Sequence, residues 1–139
     1  KFVAEMAIAL EYDVMLCDPR PNYLDNWTVP GVETTAQLPD DVVREHFSNP
    51  YSGIIALAHD PRVDDMALME ALKTNAFYIG AMGSVRTSAA RRERLPELGL
   101  SSDEIDRLHA PIGFQINSKT PAEIAIAVMA EITSVRYQQ

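Results

Sequence analysis

The sequence predicts a doubly wound α/β domain, a three-layer arrangement with helices on both faces of a parallel sheet. Three observations lead there. Short, almost wholly apolar runs recur at "YDVMLCD", "SGIIALAHD" and "AFYIGAM", the composition of strands buried on both faces. Stretches with helical spacing of apolar residues separate them, and such alternation implies parallel strands joined by crossover helices. The 139 residues, 47% apolar, suit one domain with a proper core, and no repeat, low-complexity tract or linker divides them.

The elements follow in order. "KFVAEMAIAL" spaces Phe2, Val3, Met6, Ile8 and Leu10 as a helix does, without a capping residue ahead of it. "YDVMLCD" reads as a buried strand ending at Asp18. "PRPNYLDNWTVPG", rich in Pro, Asn and Asp, reads as loop. Its Tyr23, Leu24 and Trp27 either pack over a neighbouring helix or form a docking patch. "LPDDVVREHF" is a short helix with Pro39 at its start. "SGIIALAHD" is the second strand and ends at His59-Asp60. "DDMALMEALK" is a helix turning Met66, Leu68, Met69 and Leu72 inward. "AFYIGAM" is the third strand, and residues 85–95 are the helix after it. "SSDEIDRLHA" is a short helix capped by Ser101 or Ser102, and "IGFQI" a short strand. "TPAEIAIAVMAEITSVR" closes the chain as a long helix. There Thr120 is the N-cap, Pro121 takes the first helical position, and Glu123 reaches back to the cap.

Composition narrows the function. A net charge of −8 and a pI near 4.7 argue against nucleic acid or an anionic membrane as partner. No apolar run approaches the ~18 residues of a membrane span. Residues 1–10 lack a signal-peptide pattern. The single Cys17 forms no internal disulfide, and no Cys/His spacing suggests zinc. These features predict a cytoplasmic protein with no metal ligands of its own, and Asn26-Trp27-Thr28 is a chance sequon.

In doubly wound sheets ligands bind beyond the carboxyl ends of the strands. Three ends qualify. Asp18 can bind ribose hydroxyls or cap the loop before Pro19. Cys17 beside it reads as an inert core thiol. His59 can be an acid, a base or a ligand contact, or a hydrogen-bonded structural residue. Asp60 contacts ligand or caps the turn before Pro61. The third end, "FYIGAMGSVRTSAARRERL", packs Gly80, Gly83, Ser84, Arg86 and Thr87 into eight positions. Amides opening the helix after Ser84 favour an anion, and Gly83 lets a phosphate approach. Ser84 and Thr87 add hydroxyls, and Arg86 a charge-assisted hydrogen bond. The competing reading makes Ser84 an N-cap and Arg86 a solvated side chain. Arg91, Arg92 and Arg94 read as a solvated basic face. No Gly-Lys-Ser/Thr follows, so this is not the triphosphatase phosphate loop.

Together "YDVMLCDPRP", "ALAHDPRVDDMALMEAL", "FYIGAMGSVRTSAARRERLPELGL", "LHAPIG" and "TPAEIAIAVMAEI" resemble the XdhC/CoxI family, maturation factors for xanthine dehydrogenase and carbon monoxide dehydrogenase. The likeness runs from about Glu11 to the C-terminus, with gaps in the 22–50 region. It implies the family's C-terminal Rossmann domain over residues 1–139, with the first strand and its Gly-rich turn expected upstream of Lys1. The family's N-terminal cysteine has no counterpart in Cys17. The resemblance implies a chaperone rather than a turnover enzyme, with no catalytic residues. It would bind the molybdenum cofactor, as molybdopterin or its dinucleotide, and assist its sulfuration and insertion into a xanthine dehydrogenase-like molybdenum hydroxylase. A cysteine desulfurase and a second copy of the chain are further expected partners. The cofactor-binding set is then Asp18, His59, Asp60, Gly80, Gly83, Ser84, Arg86 and Thr87. The alternatives are an NAD(P)-dependent oxidoreductase and a nucleotide-sensing module. The former lacks a Tyr-x-x-x-Lys pair: Leu16, Trp27, Ile55 and Met82 stand four positions after Tyr12, Tyr23, Tyr51 and Tyr78.

Overall fold

The computed structural model describes residues 1–138, which fall into two compact units, residues 1–38 with 113–138, and residues 39–112. The architecture is α/β with parallel strands throughout, as the apolar runs predict.

The first unit holds α1 (Phe2–Ala9), β1 (Val14–Cys17), β2 (Val32–Thr35) and α6 (Pro121–Arg136). β1 and β2 pair in parallel from Val14↔Val32 to Cys17↔Thr35. The sequence pattern predicts no element between Gly31 and Leu38. β2 is the addition, a β-branched Val-Glu-Thr-Thr run with two exposed positions that lacks the apolar signature. α6 begins with the expected capping box. Thr120 Oγ1 accepts the Glu123 amide at 3.2 Å, and Glu123 Oε1 accepts the Thr120 amide at 3.0 Å. These bonds to the charged form hold the Glu123 carboxyl below its usual range. The helix buries Ala125, Val128, Met129 and Ile132, and α1 packs along it.

"IGFQI" is not a strand. At Gly113 the chain lies so close to α6 that an added Cβ would fall 3.1 Å from the Val128 nitrogen, and Phe114 donates its amide to the Ala127 carbonyl at 3.2 Å. That backbone is spent on a helix, not on a sheet. The last strand instead occupies the end of the stretch that reads as helix, where only Ser102–Ile105 is α-helical under its Ser101 cap.

The second unit contains α2 (Pro39–His46), β3 (Gly53–Ala56), α3 (Pro61–Ala71), β4 (Tyr78–Ala81), α4 (Val85–Arg94), a 3-10 turn (Leu95–Leu98), α5 (Ser102–Ile105) and β5 (Leu108–His109). Its sheet has the order β3-β4-β5, all parallel, with Ala56↔Ala81 and Gly80↔His109 in register. Ile54, Leu68, Leu72, Ile79, Leu95 and Leu108 meet in one core. Burying each stabilises the unit by about 1.5–3 kcal/mol before chain entropy is set against it. β4 is buried along its whole length. The face of Tyr78 stacks on His109, with ring centroids 4.6 Å apart.

Arginines lock this unit from within. Arg107 donates to the carbonyls of Leu72, Thr74 and Ala76 at 3.1, 2.7 and 2.7 Å, closing the chain between α3 and β4. Arg92 donates to the carbonyls of Leu108 and Ala110 at 3.0 and 2.8 Å.

Candidate functional site

Parallel pairing of β3 and β4 brings the loops that follow them to one sheet edge, where Met82 donates its amide to the Ala56 carbonyl at 2.9 Å. One loop carries His59 and Asp60, the other Gly83 and Ser84. Both run directly into helices, so two helix starts stand at this edge.

Ser84 caps α4. Its Oγ accepts the Thr87 amide at 3.0 Å, and the Thr87 hydroxyl donates to the Ser84 carbonyl at 3.2 Å. The capping reading of Ser84 therefore holds, and the Thr87 hydroxyl is turned onto the cap. An added Cβ at Gly83 would stand 2.5 Å from Thr87 Oγ1, so the glycine lets that hydroxyl sit over the turn. With Thr87 and Ser88 amides satisfied by Ser84, the amides of Val85 and Arg86 begin the helix without a helical acceptor. Val85 and Arg86 are both exposed, and the first turn carries no acidic residue to neutralise the positive end of the helix dipole.

Of the nine arginines, Arg86 alone makes no ion pair, hydrogen bond or ring contact among the described residues.

Across the edge, Asp60 caps α3. Its carboxylate takes the Arg62 amide at 3.0 Å and the Arg62 guanidinium at 3.2 and 3.0 Å. His59 is exposed and holds a left-handed backbone, φ +60°. Asp64, one turn into α3, explains how that loop is held. It is 2% exposed, and its Oδ1 accepts the Ala58 amide at 3.1 Å. Burial pushes its carboxyl above the usual range, against the opposing pull of the Ala58 amide and of Arg91.

Arg91 is buried, not solvated, which corrects the reading of the basic face. It donates to the Met82 carbonyl at 3.3 Å and to Asp65 at 3.2 Å, and Arg94 joins Asp65 at 3.0 Å. The Asp64-Asp65 pair and the three-residue spacing of Arg91 and Arg94 are the signals the sequence offers, since i, i+3 residues share a helix face.

Gly80 lies apart from this edge, inside β4. A Cβ there would fall 2.8 Å from Ile112 and 2.9 Å from Tyr78, so packing alone accounts for the glycine. Asp18 follows β1 in the other unit. Its two oxygens grip the Arg20 guanidinium at 3.0 and 2.8 Å, and that guanidinium lies 3.6 Å over the Tyr23 ring. Cys17 beside it is half-buried and donates its thiol to the Gln37 carbonyl at 3.3 Å. Burial, with Asp18 adding to it, pushes that thiol above its usual range. A groove of about 670 Å³ in the same unit, lined by Met6, Leu10, Ile126 and Met129 among others, is almost wholly apolar and has no charged lining to hold an anion.

The family model described as the XdhC Rossmann domain matches residues 1–132. A molybdenum cofactor insertion chaperone, PaoD, of Escherichia coli (strain K12) is 36% identical over 88 residues, 63% of this chain and 28% of that protein. A probable xanthine dehydrogenase subunit of Bacillus subtilis (strain 168) is 26% identical over 135 residues, 96% of this chain and 39% of that protein. The chain thus spans well under half the length of these relatives. The crystal structure of a xanthine dehydrogenase from Bacillus halodurans shares the fold, with a TM-score of 0.79 at 24% identity over 99% of this chain and 39% of that one.

Proposed function

Because the chain belongs to the XdhC Rossmann-domain family, we propose that it is an accessory factor in the maturation of xanthine dehydrogenase-type molybdenum enzymes. In this reading it binds the phosphate-bearing end of the molybdenum cofactor, molybdopterin or its dinucleotide, as cargo. It assists the cargo's sulfuration and its insertion into the apo-enzyme. The name of the Escherichia coli relative supports insertion, and that of the Bacillus subtilis relative supports the class of target.

The observation that carries the reading is Arg86, an exposed guanidinium without a partner among the described residues, beside two amides that begin α4 without a helical acceptor. Together they offer an anion a charge and two N–H donors. Gly83 keeps the turn slim, Ser84 and Thr87 fix the helix start, and His59 with Asp60 forms the facing loop. Asp18 is a separate proposal, a ribose contact that shares its carboxylate with Arg20. Titration with molybdopterin, CTP and NADH tests the reading. Arg86→Ala is expected to weaken the phosphate-bearing ligands roughly tenfold or more, the scale of a lost charge-assisted hydrogen bond. Unchanged affinity removes Arg86 from the site. Tight NADH binding with hydride transfer would replace the chaperone reading with an oxidoreductase.

A further inference from the structure

We propose that Asp64 is the positioning residue of this anion site, its buried carboxylate setting the spacing between the His59 loop and the Gly83 turn. The inference rests on the reading above and deepens it, since neither loop is held by its own side chains alone.

The Met82–Ala56 backbone bond joins the two strand ends, and beyond it the loops need side chains to fix their spacing. Asp64 supplies such a link. On one side its Oδ1 holds the Ala58 amide, and the His59 amide adds to the hold, which fixes the backbone just where it turns left-handed. On the other side its Oδ2 faces Arg91 Nη2 at 3.9 Å, and Arg91 Nη1 donates to the Met82 carbonyl, the residue before Gly83. The path runs from the Ala58 amide through one carboxylate and one guanidinium to the Met82 carbonyl. Asp65 and Arg94 brace it from the side at 3.2 and 3.0 Å.

Burial gives the tie its meaning. Asp64 is 2% and Arg91 5% exposed. An ion pair taken out of water adds little net stability against an apolar substitute, because desolvation offsets attraction. Asp64 Oδ2 also has no hydrogen-bond partner among the described residues, an arrangement that stability alone does not favour. What the pair does supply is direction: the carboxylate holds one loop through Oδ1 and the guanidinium beside it holds the other through the Met82 carbonyl, which no aliphatic pair can do. Ser88, buried beneath Gly83 with its hydroxyl unpartnered among the described residues, lies with that hydroxyl 3.6 Å from the point a Gly83 Cβ would occupy, so the turn rests on a polar floor.

The test combines binding of inorganic pyrophosphate with amide NMR. In the wild type the Ala58 amide proton should lie downfield, the mark of a bond to a carboxylate. Asp64→Asn keeps the shape and one acceptor oxygen but removes the charge facing Arg91. It should move the Ala58 and His59 amide resonances upfield and lower pyrophosphate affinity about tenfold, with the β3 and β4 amides unchanged. Should Asp64→Asn fail to fold, Arg91→Lys serves. It keeps the charge and loses the reach to Met82, and should lower affinity by a similar factor. Pyrophosphate binding that stays at the wild-type level in the folded variant overturns the proposal, and so do unmoved Ala58 and His59 resonances. Arg86→Ala separates the two readings. If it alone weakens binding, the anion site stands and the positioning role falls. If wild-type protein does not bind pyrophosphate, both fall.

Discussion

At the scale of single residues, the glycines of the third strand end divide by what surrounds them. Gly83 leaves room for a hydroxyl over a turn, while Gly80 leaves room for Ile112 and Tyr78. Gly80→Ala should therefore act on stability and not on ligand binding. Overpacking of this kind costs about 1–3 kcal/mol, to be read from the urea midpoint. Asp64 gives a pH signature. Its carboxyl is raised in the folded state, so the folded protein holds that proton more tightly than the unfolded chain. The group therefore opposes folding above the raised value, and that opposition is relieved as pH falls through it toward the usual 3.8. Across a series of urea unfolding curves from pH 7 down to about 4, wild type should gain stability relative to Asp64→Asn; a constant gap between the two would show that Asp64 does not titrate in this window. Sequence showed the cap residues Ser84 and Asp60, because capping depends on neighbours two and three positions away. It did not show the burial of Arg91, because its carboxylate partner Asp65 stands 26 positions earlier in the chain.

At the scale of elements, the long apolar runs and the capping boxes were legible and the polar or very short strands were not. β4 announces itself because both its faces are covered, and β3 through its apolar run, although Gly53 is exposed and Ile55 half-buried. β2 is half-exposed, and β5 is two residues long and gains its place from pairing with β4 and from the Tyr78–His109 stack. No local pattern specifies either. α6 is the opposite case, with its start written in Thr120, Pro121 and Glu123. Thr120→Ala should cost about 1 kcal/mol, read from the same unfolding curves, and Thr120→Ser almost nothing.

At the scale of the whole molecule, charge is unevenly distributed. The chain carries −8 overall, yet its arginines are mostly engaged with carboxylates, carbonyls or rings, and among the described residues Arg86 is the arginine left for an anion. Attraction is local and the far field is repulsive. Raising salt from about 20 to 200 mM shortens the Debye length to below ~10 Å and screens that far field first. The association rate of a phosphate-bearing ligand, followed by stopped flow, should hold steady or rise over this range. A steep fall would place more free positive charge around the site than Arg86 supplies. Cys17, protonated and tied to the Gln37 carbonyl, gives the same question a convenient handle. A maleimide dye at neutral pH should react faster with a thiol introduced by Val85→Cys than with Cys17, favouring a fluorescent reporter at the mouth of α4.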